Sequence, residues 1–382
     1  MTATAAEDLD SIRELARNVA AAKIAPHAAD VDARGRFPEE GYRALVETQL
    51  HAALIPEAYG GPGADALTTA VIAEEIARVC ATTQQVAAAN DLFAWPLLLA
   101  GTEDQRQKWL PPIAAGQKLG AFALSEPDAG SDIRSMTTRA VATTDGWRLH
   151  GTKRWITNGG VADCYILFAR TVNNSHDQGI SAFILDAADD GLAFGAPERK
   201  IGLKGSPTTE IYLDNVFIPA DRMIGEPGRG LHIALATLDR TRVGIAAQAV
   251  GIAQGALDAA ADYMRVRHQF GSPLADFQGL QFVLADMAVA VRAARLLAHA
   301  AAGEVESGSA TLGFAGATAK LFATDTAMKV TTDAVQILGG AGCVMDFPVE
   351  RMMRDAKITQ VYEGTNQIQR IVIAREILTA AP

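Results

Sequence analysis

The segment Val361-Tyr362-Glu363-Gly364-Thr365-Asn366-Gln367-Ile368-Gln369-Arg370 places one carboxylate in a loop that opens onto a helix. The apolar residues Ile368, Ile371, Val372 and Leu378 recur at helical spacing. Asn366, followed three residues later by Gln369, is typical of a capping box at a helix start. Glu363 is therefore predicted to lie just outside the helix, where Gly364 permits an unusual backbone turn.

A carboxylate in this position is a candidate catalytic base. A free glutamate titrates near ~4.3, whereas an effective general base titrates nearer ~6–7, so the site must desolvate Glu363. Val361, Tyr362 and Ile368 are predicted to supply the apolar wall. The alternative is an acid that the dipole of the following helix stabilises. Taken alone, the segment favours this alternative.

Length, charge and cysteine content narrow the class of protein. The chain has 382 residues, which indicates two or three structural units, since a domain typically has ~100–200 residues. Its net charge is −10 and its basic residues are scattered, which argues against nucleic acid and anionic membranes as partners. The three cysteines are too far apart for a C-x-x-C site, and no histidine pair has metal-ligand spacing, so we predict no metal. Without a signal segment or an apolar stretch of ~18 residues, we expect a cytoplasmic protein that has no membrane span.

The pattern of the sequence changes twice along the chain. Residues 1–118 are alanine-rich with helical periodicity, residues 119–225 alternate like strands between Gly, Asp and Asn turns, and residues 226–382 return to long alanine-rich helices. This order predicts an α+β protein with an N-terminal helical domain, a middle β-domain and a C-terminal helical domain. No G-x-G-x-x-G motif follows a predicted strand, and βαβ alternation is missing, which argues against a Rossmann fold.

Several further motifs precede the Glu363 loop in a definite order. They are Phe122-Ala-Leu-Ser-Glu-Pro-Asp-Ala-Gly-Ser-Asp132, Trp155-Ile-Thr-Asn-Gly-Gly160, Arg267-His-Gln-Phe270 and Gln336-Ile-Leu-Gly-Gly-Ala-Gly342. Together with that loop they resemble the acyl-CoA dehydrogenase family, from about Leu15 to Leu378. The resemblance implies a middle β-barrel or sandwich, a C-terminal four-helix bundle, an FAD cofactor bound without a Rossmann fold, and an acyl-CoA substrate.

The residue types in these motifs suit a flavin site. Trp155 and Thr157 alternate, so both side chains would face one side of a strand, where an aromatic ring can stack beside a flavin and a hydroxyl can bond its edge. Arg267 could hold a diphosphate through two parallel hydrogen bonds. The alternatives are a core tryptophan and a cation at a helix end. By resemblance the cofactor-binding residues are Phe122, Leu124, Ser125, Trp155, Thr157, Arg267, Phe270, Gln278, Gln336, Gly340, Thr365 and Gln367, with Gln336 and Gly340 reaching in from another subunit.

A predicted helix carries two charged residues that also belong to this resemblance. Asp239 and Arg242 are three residues apart, and they form either a surface ion pair or, by resemblance, the side of the helix that faces the acyl-CoA. Some family members carry their catalytic glutamate at the position of Thr241, and because threonine cannot act as that base, the resemblance leaves Glu363 as the catalytic residue. The substrate-binding residues that it implies are Ser131, Asp239, Arg242, Tyr362 and Gly364.

The resemblance also implies a reaction and its partners. Glu363 would remove the α-proton of an acyl thioester while the β-hydride passes to the flavin, and electrons would continue to an electron-transfer flavoprotein. A homotetramer is expected. Phe93 and Trp95, beside the expected acyl pocket, predict a preference for about four to six carbons. The alternatives are an acyl-CoA oxidase-like or nitroalkane oxidase-like flavoprotein on the same fold, and a catalytically silent binding protein.

Overall fold

The N-terminal part of the chain is helical. The computed structural model describes residues 3–173 and 176–379. Alanine-rich helix faces pack closely here, and α6 begins at a reciprocal cap in which Thr102 and Gln105 bond each other's backbone N–H. The helices are α1 (Ala3–Val19), α2 (Ala25–Arg34), α3 (Glu39–Glu47), α4 (Ala66–Ala77), α5 (Ala81–Ala100) and α6 (Glu103–Ala114), and a π-helical turn, Ala20–Ile24, joins α1 to α2.

The middle part of the chain forms one eight-stranded sheet within the described residues. The strand order is β6-β7-β3-β2-β4-β5-β8, and β1 pairs with β4 in parallel. Alternate residues such as Leu149 and Ile211 are fully or almost fully buried, as the alternating sequence predicted. The strands are β1 (Gly120–Ala123), β2 (Arg139–Ala142), β3 (Gly146–Thr157), β4 (Cys164–Asn173), β5 (His176–Asp186), β6 (Leu192–Phe194), β7 (Thr208–Pro219) and β8 (Met223–Ile224).

The last part of the chain returns to helices, so the predicted α, β, α order is confirmed. Three long helices, α7, α8 and α9, follow one another through short connections and pack into one apolar core, to which α10 and the N-terminal helix α4 also contribute. The elements are α7 (Gly230–Val266), the hairpin strands β9 (His268–Gln269) and β10 (Ser272–Pro273), α8 (Gln278–Ser307), α9 (Leu312–Leu338), α10 (Val349–Thr359) and α11 (Asn366–Thr379).

Helix α7 is long and apolar enough to meet a simple criterion for a membrane span. Its best 18-residue window has a mean hydropathy of 1.2, but 72% of that window is buried inside the protein. A helix that buries most of its apolar surface against its own chain is typical of a protein core.

Candidate active site

The Glu363 loop connects α10 to α11 and has a left-handed backbone. Glu363 has φ of 51° and Gly364 has φ of 89°, so the predicted turn is confirmed and extends to the glutamate itself. A non-glycine residue in this conformation is uncommon and costs on the order of 1 kcal/mol. The loop accordingly depends on contacts with its surroundings.

The predicted capping box at the start of α11 is wrong. Thr365 caps the helix, because its hydroxyl accepts a hydrogen bond from the Ile368 N–H at 3.3 Å. Asn366 is turned inward, where its amide donates to Asp325 at 2.7 Å. The Gln369 amide donates to the Gly364 carbonyl at 2.9 Å. Both side chains therefore hold the loop that carries Glu363.

The Glu363 carboxylate is bonded to the hydroxyl of Thr241 on α7. The Thr241 hydroxyl donates to Glu363 Oε2 at 2.7 Å. Burial raises the pKa of Glu363, and the Thr241 hydrogen bond together with the charges of Lys320 and Arg242 offsets part of that rise. The net direction is upward, as a general base at neutral pH requires.

The apolar wall expected beside Glu363 is only partly present. Val361 is 53% exposed, so the prediction for this residue is wrong. Tyr362 does lie next to the carboxylate, and its hydroxyl donates a hydrogen bond to Gln248 of α7. Ile368 is half-buried. Desolvation therefore comes mainly from the helices around the loop.

The α7 residues Asp239 and Arg242 form the predicted ion pair, at 2.7 Å. It is not a surface pair, since the Arg242 side chain is only 4% exposed. Arg242 Nε has no hydrogen-bond partner among the described residues, and its charge acts on Glu363. An unsatisfied buried guanidinium nitrogen beside a candidate base is suited to an anionic or carbonyl group of a ligand.

The Trp155 motif lies on β3, but the strand is not regular there. The pairing of β3 with β7 shifts between Lys153 and Ile156, and Trp155 has φ of 56°. Trp155 is 52% exposed, so the core-tryptophan alternative is wrong, while Thr157 is half-buried at the strand end. A bulge re-aims a side chain, which here turns the indole ring outward.

The neighbouring segment 122–132, which is expected to line the flavin, is held to the same strand. Leu124 is buried, the Phe122 ring packs at a tilt against Phe168 with ring centres 4.9 Å apart, and the Ser125 carbonyl accepts a hydrogen bond from the Arg154 N–H at 2.9 Å. Ser131, farther along the loop, is exposed. These contacts give the segment one fixed path past Trp155.

A second set of expected cofactor residues lies far from Glu363. Arg267 follows α7, and the exposed Phe270 forms the tip of the β9–β10 hairpin, with φ of 51°. From Thr241 to Val266, α7 runs for about 25 residues, or about 38 Å at ~1.5 Å per residue. Helix α8 begins and helix α9 ends near the C-terminal end of α7. The expected cofactor residues at this end are all exposed, and they are Arg267, Phe270, Gln278, Gln336 and Gly340.

Two other expected residues stay with the catalytic loop. Thr365 caps α11 and is half-buried, and Gln367 is exposed in the first turn of that helix. The structure thus separates the predicted site residues into a group around Glu363, a group on the β-sheet, and the distant group at Arg267. The sequence analysis expected Gln336 and Gly340 alone to reach in from another subunit. Arg267 lies at the same end of the helices as these two residues, so the structure does not separate it from them.

The expectation for Phe93 is wrong. Its side chain is 0% exposed and packs into the core between α5 and the sheet, directly against Gly120. Trp95, two residues on, is half-buried and has the Arg240 guanidinium 5.3 Å from its ring centre. Only Trp95 therefore remains as a bulky residue available to an acyl pocket.

Two charged residues at the site were missed by the sequence analysis. Asp91 on α5 has a pKa raised to about 8 by burial and by the charge of Glu363. Lys320 on α9 is 0% exposed and contacts the Glu363 loop. For Asp91 the available signal was that it is the single charged residue of α5, and a buried charge is costly unless it has a role. Lys320 gave no such signal, because α9 also carries Asp325, Lys329 and Asp333.

Comparison with known proteins follows the same division of the chain. Models of the acyl-CoA dehydrogenase N-terminal, middle and C-terminal domains match residues 6–117, 121–216 and 228–378. The chain belongs to the acyl-CoA dehydrogenase family. A probable acyl-CoA dehydrogenase of Mycobacterium tuberculosis is 54% identical over 372 residues, which are 97% of this chain and 96% of the relative.

Solved structures agree with the family assignment. Butyryl-CoA dehydrogenase from Megasphaera elsdenii is 42% identical with a TM-score of 0.93 and covers 97% of this chain and 98% of its own. A chain described with the electron transferring flavoprotein of Acidaminococcus fermentans, in work on flavin-based electron bifurcation, is 44% identical with a TM-score of 0.95 and covers 98% of both chains. This acyl-CoA dehydrogenase is thus a flavoprotein oxidoreductase of fatty acid metabolism.

Proposed function

We propose that this acyl-CoA dehydrogenase uses Glu363 to remove the α-proton of a short acyl-CoA, giving a trans-2-enoyl-CoA. The observation that carries the proposal is the half-buried Glu363 carboxylate, whose pKa is raised by desolvation and whose Oε2 accepts a hydrogen bond from Thr241 at 2.7 Å. A base of raised pKa that remains hydrogen-bonded in one orientation is suited to carbon-acid deprotonation.

The enolate that develops on the thioester needs a donor at its oxygen. Among the described residues, the Glu363 backbone N–H donates to no protein acceptor, whereas the N–H groups of Val361 and Tyr362 still donate to the Ile358 carbonyl of α10. We assign the Glu363 N–H to the thioester oxygen, since a donor placed where charge develops lowers the barrier. Arg242, with Asp239, would face the CoA portion, and Ser131 and Tyr362 would complete the substrate site.

The exposed residues of the chain fit FAD. The outward Trp155 ring and Thr157 present an aromatic face and a hydroxyl, and Leu124 and Ser125 lie on the adjoining segment. The Arg267 guanidinium has no ion-pair or hydrogen-bond partner in the described ranges, and Phe270 is 96% exposed. These groups would be covered by a ring system, a diphosphate and an adenine. When bound, FAD supplies the acceptor for the β-hydride.

The distance along α7 supports a homo-oligomer. A single FAD cannot be held by both the Glu363 end and the Arg267 end of a helix that separates them by about 38 Å. The Arg267 end would then serve the site of a neighbouring subunit. The apolar residues Phe282, Val289 and Leu296, spaced by seven along α8, are 61%, 68% and 62% exposed and offer a surface for such contacts. We propose a homotetramer, located in the cytoplasm.

The acyl chain length and the electron acceptor complete the proposal. Trp95 on α5 favours a closed pocket and a preference for about four to six carbons, in line with the butyryl-CoA dehydrogenase neighbour. The neighbour described with an electron transferring flavoprotein supports such a protein as the electron acceptor.

The test is flavin reduction by acyl-CoAs in the absence of an external acceptor. Glu363→Gln should keep the flavin spectrum and acyl-CoA binding while slowing reduction by about 10²–10⁴, the typical effect of losing a general base. Glu376→Gln, an exposed glutamate on α11, is the matched control and should reduce normally. Normal reduction by Glu363→Gln would refute the assignment.

A further inference from the structure

Lys320 is a buried cation beneath the catalytic loop. It lies on α9 with 0% exposure, and its Nζ donates to the Gly364 carbonyl at 2.9 Å and to Asn366 Oδ1 at 3.0 Å. Burying an ammonium group costs several kcal/mol unless it is compensated. Carbonyl and amide oxygens accept two hydrogen bonds from Nζ but do not neutralise its charge.

The charges around Lys320 come from three elements. Glu363 of the loop raises the pKa of Lys320, Arg242 of α7 lowers it, and Asp325 of α9 raises it, but burial is the largest influence and brings the value down to about 7. No carboxylate lies within ion-pair distance of Nζ among the described residues, and Asp325 is already paired with Arg370 of α11 at 3.0 Å. The charge of Lys320 is therefore available to Glu363.

The other groups that act on Glu363 are also fixed. The Thr241 hydroxyl and Arg242 come from α7, and the Asp91 carboxyl comes from α5. Arg242 is already paired with Asp239. Lys320 differs from all of these because it is bonded to the backbone of the loop, at the residue next to the glutamate.

We propose that Lys320 is a positioning residue, which fixes the left-handed Glu363–Gly364 turn and whose ammonium charge keeps the Glu363 carboxylate ionised. This inference rests on the proposed role of Glu363 as the base. Lys320 is 0% exposed and its Nζ bonds only protein oxygens, so it acts through the loop.

The experiment compares Lys320→Met and Lys320→Gln with the native FAD-loaded protein. Glutamine keeps donor groups without the charge, so it also covers the possibility that methionine prevents folding. Removing one charge from a site of effective dielectric ~20 should move the acidic limb of the kcat/KM profile upward by about one to two pH units. Below that limb, both variants should be about 10–100 times slower. The control is Lys329→Met on the same helix, an exposed lysine paired with Asp333, which should leave the limb in place.

An uncharged scaffold role would lower the rate without moving the limb, and this result in both variants would overturn the proposal. Lys320→Arg restores the charge and should return the acidic limb of the pH profile toward its native position. A folded Lys320→Arg variant that holds flavin but keeps the shifted limb would contradict the proposal. Glu363→Gln is measured in parallel. If that variant reduces flavin normally, the proposed function itself fails; if it is inactive while Lys320→Gln has a native limb, only the role of Lys320 fails.

Thermal stability gives a readout that does not depend on activity. The folded pKa of Lys320 lies below the unfolded value of about 10.5, so the unfolded chain binds more protons between these values and native stability rises with pH across that window. Lys320→Gln lacks this rise. The difference in melting temperature should therefore shift in favour of the native protein from pH 7 to pH 10, and a constant difference would show that folded Lys320 keeps its ordinary pKa, which would contradict the lowering of that pKa by burial.

Discussion

Replacing Lys153 by methionine should loosen segment 122–132, which is expected to line the flavin, more than any substitution of a surface residue. Lys153 Nζ is 2.8 Å from Glu126 Oε1 and 3.1 Å from the Leu124 carbonyl, and the two charged side chains are 0% and 3% exposed. Glu126 also accepts from the Thr137 and Thr138 N–H groups, at 2.6 and 3.0 Å. The ion pair thus links the segment after β1 to strand β3. The other hydrogen bonds of Glu126 link this segment to the residues just before β2.

The magnitude follows from leaving Glu126 buried without its cation. Burial alone would raise the pKa of Glu126, but Lys153 and the backbone donors bring it to about 2, so it stays ionised at neutral pH. Removing one partner of a buried pair typically costs about 3–5 kcal/mol. At ~1.36 kcal/mol per factor of ten, the segment should open about 10²–10⁴ times more often. Glu126→Gln combined with Lys153→Met removes both charges and should recover more than half of this loss.

Hydrogen exchange of the amides in residues 120–142 measures this opening directly. The control is Lys118→Met, which removes a half-exposed ion pair with Asp186 in the same domain, with side chains 34% and 27% exposed, and should cost less than about 1 kcal/mol. Exchange in Lys153→Met that rises no more than in this control would show that Glu126 does not depend on the cation, and the reasoning would fail. Flavin retention should fall in parallel with the faster exchange.

Three other perturbations test separate parts of the site. Thr241→Val removes the hydroxyl that donates to Glu363 at 2.7 Å. Because a hydrogen bond to a charged group is worth about 1.5–3 kcal/mol, the acidic limb of the pH profile of flavin reduction should move to higher pH by about one to two units. An acidic limb at the native pH would show that the working enzyme does not use this contact. Trp95→Ala should move the optimum of kcat/KM, measured from butyryl- to palmitoyl-CoA, to longer chains by two or more methylenes, and an unchanged optimum would place the pocket end elsewhere. Arg267→Ala should weaken both flavin retention and subunit assembly, as measured by gel filtration. The control Arg265→Ala, which replaces an exposed arginine paired with Asp262, should weaken neither. If the two variants behave alike, Arg267 is only a cation at a helix end.

The fold and the position of Glu363 could be predicted because both are local properties of the sequence. Helical and alternating patterns marked the change at the β-sheet, and the Gly364 turn marked the loop. The details of the cap could not be predicted in this way. Asn366 looked like a cap because its amide can bond a helix N–H, but in the structure it bonds Asp325 of α9, a partner 41 residues away in sequence.

The same reasoning explains the errors at the acyl pocket. Phe93 and Trp95 are close in sequence, yet a helix turns ~100° per residue, so the two side chains point to different neighbours. Phe93 enters the core against Gly120, while Trp95 meets Arg240 of α7. Which side of α5 faces the cavity depends on how the sheet and the C-terminal helices pack against it, and no local pattern contains that information.

The charge of Glu363 acts on a second carboxyl group at the candidate site, Asp91, and the surroundings of the two groups decide which one keeps its charge. Like charges at close range disfavour double ionisation, so the group with better support keeps the charge. Glu363 has the Thr241 hydroxyl and the charges of Lys320 and Arg242, all of which favour its anion. Within the described part of the chain no donor or cation supports the Asp91 anion, and burial together with the charge of Glu363 raises the pKa of Asp91 to about 8, so it stays protonated at neutral pH. Of these two carboxyl groups, Glu363 on the α10–α11 loop is therefore the one whose anion the surroundings favour.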